Sequence, residues 1–206
     1  MIYKVIDLQQ NTPEWHEYRK SHIGASDAPI IMGISPWMTA NDLWKEKMGF
    51  IDPKPMTSMM LRGQQLEPEV RKMVIEEKKI NFVPITIESR AYHFLSASLD
   101  GMSDDRKIIL EIKCPNKLTH EETCRGDVSR HYYTQVQHQL FVSGADECLF
   151  VSYRPKSTQE LAYVTILSDP DYINEIIDRE TKFFISMCKM EEFDKIEYEV
   201  VHSPEI

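Results

Sequence analysis

The chain has 206 residues, 42% hydrophobic and 28% charged, and a formal net charge of −9 at pH 7. That composition describes one ordinary globular domain with room for a sizeable core. No apolar run is long enough to span a bilayer, and the N-terminal MIYKVIDLQQ lacks a signal-peptide core, so a single cytoplasmic domain over 1–206, with no membrane partner, is expected. The four cysteines (Cys114, Cys124, Cys148, Cys188) are scattered, which excludes a disulfide framework and a zinc-knuckle or iron–sulfur spacing. The acidity is uneven: residues 167–206 carry eleven Asp/Glu and four Lys/Arg, leaving −2 on the first 166 residues. The net charge therefore weakens a nucleic-acid reading without excluding it.

In chain order, Thr12 is an expected N-cap with Pro13 opening a first helix. A second short helix is expected from near Ser26, and a third from about Thr39 to Lys47, stopped by Gly49. Residues 50–63 read as a Pro-rich loop holding Met56, Met59 and Met60. The stretch LEPEVRKMVIEEKK carries Leu66, Val70, Met73 and Val74 at helical spacing. NFVPITI, AYHFLSASL and KIILEIK read as strands, and SRHYYTQVQHQLFVSG as a helix ended by Gly144. CLFVSY and ELAYVTIL are two more strands, and a last helix follows Asp169-Pro170. This order predicts an α/β domain with a central mixed sheet flanked by helices. It lacks the β–α alternation of a dinucleotide fold, and no G-x-G-x-x-G or P-loop occurs.

The chemistry concentrates in SLDGMSDDRKIILEIKCP, residues 98–115. Alternation along the second strand puts Glu111 and Lys113 on one face, and the turn GMSDDR returns Asp100 beside Glu111. Two carboxylates this close repel unless a proton or cation lies between them. Either Glu111 and Lys113 form a structural ion pair beside a turn aspartate, or the carboxylates hold a hard cation and Lys113 orients or deprotonates its water. Glu67, early in its helix, is a third candidate carboxylate, or a residue compensating the helix dipole. Gln135 and Gln139 share one helix face with Tyr132, pointing to a polar partner at the core edge or to solvent.

The strings TPEWHEYRKSHIGASDAPIIMGISPW, RGQQLEPEVR, SASLDG, LEIKCP and YYTQVQHQLFVSG resemble, in order, the phage lambda exonuclease (YqaJ-type viral recombinase) family. The resemblance covers about residues 12–155. It implies a restriction-endonuclease-like core and magnesium-dependent digestion of the 5′-ended strand of duplex DNA, with manganese able to substitute in a two-metal site. By position, Asp100, Glu111, the Ile112 carbonyl and Glu67 match metal ligands. Lys113 matches the water-activating lysine, and Gln135 a glutamine beside the nucleophilic water. Trp15, Arg19 and Ser26 reproduce W-x3-R-x6-S, whose arginine and serine hold a 5′-terminal phosphate, and Ser98 matches a second serine of that pocket. A guanidinium and a serine hydroxyl suit that ligand.

One position departs from the pattern. The family's second phosphate-binding arginine is here Thr119, with Lys117 and Arg125 the nearest basic residues. The resemblance further implies a homotrimeric ring around DNA ends and a single-strand annealing protein as partner, for which the acidic C-terminal stretch is a candidate surface. The loop of Met56, Met59 and Met60 is a candidate wedge between terminal bases, or plain core filler. A restriction-like endonuclease on the same core and a non-catalytic DNA-end-binding protein are the alternative readings.

Overall fold

The computed structural model describes residues 2–8, 10 and 12–193; the tail 194–206, and with it part of the acidic stretch, lies outside the described residues. A short strand β1 (Tyr3–Ile6) precedes helix α1 (Pro13–Lys20), the two-residue strand β2 (Ile23–Gly24), and helices α2 (Ala28–Ile31), α3 (Ala40–Lys47) and α4 (Ser58–Lys78). Strands β3 (Phe82–Ser89), β4 (Leu95–Ser103) and β5 (Ile108–Lys113) follow. Then come α5 (Lys117–Cys124), α6 (Arg130–Ser143), β6 (Glu147–Tyr153), β7 (Leu161–Leu167) and α7 (Pro170–Lys189).

The expected caps are present. Thr12 accepts from the Trp15 amide at 3.3 Å and Thr39 from that of Asp42 at 3.1 Å. Gly144 closes α6 at φ 66°, a left-handed conformation that a glycine adopts without steric cost. Four boundaries differ from the expectation. Helix α2 begins at Ala28 with Asp27 at the N-cap position, so Ser26 sits in the turn before it. Helix α4 begins at Ser58, because Thr57 caps it by accepting from the Met60 amide at 3.2 Å. Met59 and Met60 therefore lie on its first turn, and Pro68 is carried inside the helix. Strand β4 starts four residues later than AYHFLSASL and continues to Ser103, so Gly101 and Met102 belong to the strand and only residues 104–107 turn.

The sheet order is β1-β3-β4-β5-β6-β7, with β2 paired to β4. All neighbours on that path are antiparallel except β5 and β6, whose parallel pairing is reached through α5 and α6. One face carries Leu99, Ile109, Cys148 and Phe150 against Val136 and Leu140 of α6 and Ile173 and Ile177 of α7. The other carries Phe82, Leu110, Ile112 and Val151 against Val70 and Val74 of α4. Alternation along β5 thus behaves as the sequence predicts, and each face of the sheet receives its own helical layer.

Candidate active site

The carboxylate site begins with an irregularity in β4. Its register with β3 runs Ile85↔Leu99 and then Val83↔Met102, so β4 holds one extra residue across Asp100–Gly101, opposite Pro84. Proline has no N–H to give to a ladder and is tolerated at such a bulge. Gly101 is required by packing: a Cβ there would lie 2.7 Å from the Phe82 Cβ and 3.2 Å from the Leu110 Cβ. The bulge re-aims Asp100, whose Oδ2 accepts from the Ile112 amide at 2.7 Å. Its backbone carbonyl accepts from Arg71 Nη1 at 2.7 Å, and the same nitrogen donates to Glu67 Oε1 at 2.8 Å. Arg71 therefore ties Glu67 of α4 to the Asp100 strand.

On β5, Glu111 is buried and Lys113 partly so, with Lys113 Nζ 2.5 Å from Glu111 Oε1. Gln135 bridges the two, accepting from Lys113 at 3.2 Å and donating to Glu111 Oε1 at 2.7 Å. Gln139, one helical turn on, donates to Glu111 Oε2 at 2.6 Å. The Tyr132 ring centre lies 5.2 Å from Lys113 Nζ. Burial, and then the carboxylates of Glu111 and Glu67, push the Asp100 carboxyl well above the ordinary range. Burial alone would lower Lys113, but Glu111 and then Asp100 carry it above its ordinary value, so the amine is an ammonium here.

A second group adjoins this one. Arg19 Nη2 donates to Ser26 Oγ at 2.8 Å, and its guanidinium carbon stands 4.7 Å from the Trp15 ring centre. Trp15 Nε1 donates to Ser98 Oγ at 3.1 Å. Behind them Asp27, buried, lies 3.7 Å from Arg19 and 2.9 Å from the equally buried Lys47 Nζ. That ammonium also donates to the Arg19 and His22 carbonyls at 3.0 and 2.7 Å. One cavity of about 180 Å³ is lined by Trp15, Arg19, Ser26 and Ser98 of this second group and reaches the first through Glu67 and Gln135, while Asp100, Glu111 and Lys113 lie outside its lining. A larger depression of about 490 Å³, between Val128 and Pro170, is separate from these residues.

All ten residues singled out from the sequence thus fall in two adjoining clusters. Arg71, Asp27 and Lys47 were missed: nothing in the local sequence tells a buried Lys or Arg from a solvated one on a helix. Gln139 was noted for its helix face, and only the fold shows that it holds Glu111. Thr119 sits in the first turn of α5, where its amide is capped by Asn116 at 3.0 Å. Lys117 lies 3.6 Å from Glu121, and neither it nor Arg125 lines the cavity. His120 uses both ring nitrogens, on Ser152 Oγ and the Gln159 carbonyl, each at 2.8 Å.

The residues fit a divalent cation in one respect: paired acidic groups whose burial and mutual repulsion call for a compensating positive charge. Among the described residues no three His, Cys, Asp or Glu side chains form a cage of their own. Oxygen donors of this kind suit a hard ion that keeps part of its water shell.

A Bacillus subtilis (strain 168) protein, uncharacterized protein YqaJ, is 30% identical over 141 residues, spanning 67% of this chain and 44% of the relative. The chain therefore spans less than half of that relative's length. The crystal structure of an alkaline exonuclease (LHK-Exo) from Laribacter hongkongensis superposes with a TM-score of 0.77 at 27% identity, covering 87% of this chain and 94% of that one. A phage-related exonuclease from Haemophilus somnus 129PT shares the fold at 16% identity and a TM-score of 0.62, covering 82% of this chain and 96% of that one. The core is thus restriction-endonuclease-like, as the sequence predicts. Residues 14–146, which hold both clusters up to Gln139, match the model of the YqaJ-like viral recombinase domain, and the chain belongs to that family.

Proposed function

We propose that the chain is a magnesium-dependent 5′-to-3′ exonuclease that digests one strand of linear duplex DNA and leaves a 3′ single-stranded tail for recombination by strand annealing. The observation that carries this reading is the cavity beside the Arg19–Ser26 pair, whose wall residue Gln135 is bonded to both Lys113 and Glu111. The similarity to an alkaline exonuclease supports the same class of activity.

Asp100, Glu111, the Ile112 carbonyl and Glu67 would hold the magnesium, or manganese in its place, in a two-metal site. Bound there, a cation would supply charge stabilisation for the phosphoryl oxygen. The chain's own groups do the positioning. Gln135, bonded to both Lys113 and Glu111, holds the amine at the place where a water attacks. Arg19 and Ser26 take the 5′-terminal phosphate, with Ser98 fixed by Trp15 at the other wall. Asp27 and Lys47 brace that arginine from behind.

The reading extends to a homotrimeric ring around the duplex, which would turn the acidic surface outward, and to an annealing protein that receives the tail. Duplexes labelled separately at each end, with and without 5′-phosphate, test it in the presence of magnesium. Release from the 5′-labelled end of linear DNA, with covalently closed circles left intact, is expected. Nicking or cutting of the circle would favour the restriction-like endonuclease, and no digestion at all the non-catalytic end-binding protein.

A further inference from the structure

An aromatic row that the proposed chemistry does not use leads outward from Lys113. The Tyr132 ring beside it contacts the His131 ring, centroids 4.1 Å apart. His131 in turn meets Trp37 edge-on, at 4.9 Å and 89°. Trp37 ends the row 65% exposed, whereas the other tryptophans, Trp15 on the cavity wall and Trp44 in the core, are buried. Its backbone is anchored, because Lys54 Nζ donates to the Trp37 carbonyl at 2.9 Å. That bond also brings the segment leading to Met56 alongside, and Met56 Sδ accepts from Gln64, a residue of the cavity wall, at 3.4 Å.

Trp37 thus offers an exposed indole on an anchored backbone at the outer end of a row of rings that starts beside Lys113. We propose that Trp37, backed by His131, is a stacking site for an unpaired nucleobase at the DNA end, next to the scissile phosphate. Every base has a π-face, so such a site accepts any sequence. Continuity through Tyr132 to Lys113 selects this occupant over an unrelated partner. The inference rests on the nuclease reading for where the DNA lies.

The probes are a short 5′-phosphorylated oligothymidylate and an abasic oligomer of the same length, titrated without divalent metal while tryptophan emission is followed. The oligothymidylate is expected to quench emission and the abasic strand to quench far less. Trp37→Ala should lose the quench and bind about 5- to 100-fold more weakly, with Trp37→Phe in between. The same quench with the abasic strand, or unchanged affinity in Trp37→Ala, overturns the base site. So does a change in the assembly's mass with no change in oligonucleotide binding, which would make Trp37 a subunit contact. The two readings fail separately. A parent protein that quenches with oligothymidylate but digests no duplex upholds the base site and removes the nuclease; a Trp37→Ala protein that binds and digests like the parent does the reverse.

Discussion

Lys113 is the residue on which the proposed chemistry turns. Its ammonium is bonded to Glu111 and Gln135, so Lys113→Ala should remove the group that orients the water and also leave the buried Glu111 without its counter-charge. Digestion in magnesium is expected to fall about a hundredfold to ten-thousandfold, read as the release of labelled nucleotide. Digestion by the purified variant at the parental rate would discard this role for the lysine. Gln139 offers a contrast, because it is buried, away from the cavity wall, and reaches Glu111 only through its amide. Gln139→Leu leaves a buried carboxylate short of a donor, at a cost of about 1–3 kcal/mol. A lowered denaturation midpoint is the expected reading.

Two elements carry the site, a bulged strand and a short turn braced from below. At the bulge, Gly101→Ala would drive a Cβ into Phe82 and Leu110, backbone-proximal atoms that cannot swing away. Overpacking of this kind costs about 1–3 kcal/mol, and relief by straightening β4 would withdraw Asp100 from Ile112. The variant should melt earlier and lose digestion together, as circular dichroism and a nuclease assay would record. In the turn, burial alone would raise Asp27, but Lys47 and then Arg19 hold it below the ordinary carboxylate range. A depressed carboxylate contributes stability above its unfolded pKa of about 3.9, and that contribution is lost as the pH falls through the lower folded value. Unfolding free energy should therefore drop more steeply below about pH 4 in the parent than in Asp27→Asn. At neutral pH that substitution is expected to cost about 3–5 kcal/mol, because Lys47 is left buried without its counter-charge.

At the scale of the whole molecule, the net charge of −9 must be reconciled with the proposed polyanionic substrate. In the proposed ring, basic groups such as Arg19 face the enclosed duplex while acidic residues face outward. Light scattering should then return three times the chain mass, and digestion should slow as salt screens the phosphate contacts. A monomer that digests ends at full rate would remove the ring from the account. No described helix is long and apolar enough to cross a membrane.

Much of this was already written in the chain. The alternation in IILEIK and the helical spacing around Val70 and Val74 determine which side chains enter the core, because burial of apolar surface acts on local periodicity. The same alternation put Glu111 and Lys113 on one face, and the ordered strings from Trp15 to Gln139 identified the family. Spacing did not separate an ion pair from a metal site, and strand β1 passed unnoticed because four residues carry too little pattern. The tertiary structure alone decided the rest. Only the β3–β4 register shows the bulge that turns Asp100, and only the packing of α4 and α3 brings Arg71 and Lys47 beneath their carboxylates. Those contacts join residues far apart in the chain, and their energies depend on burial, which no local window contains.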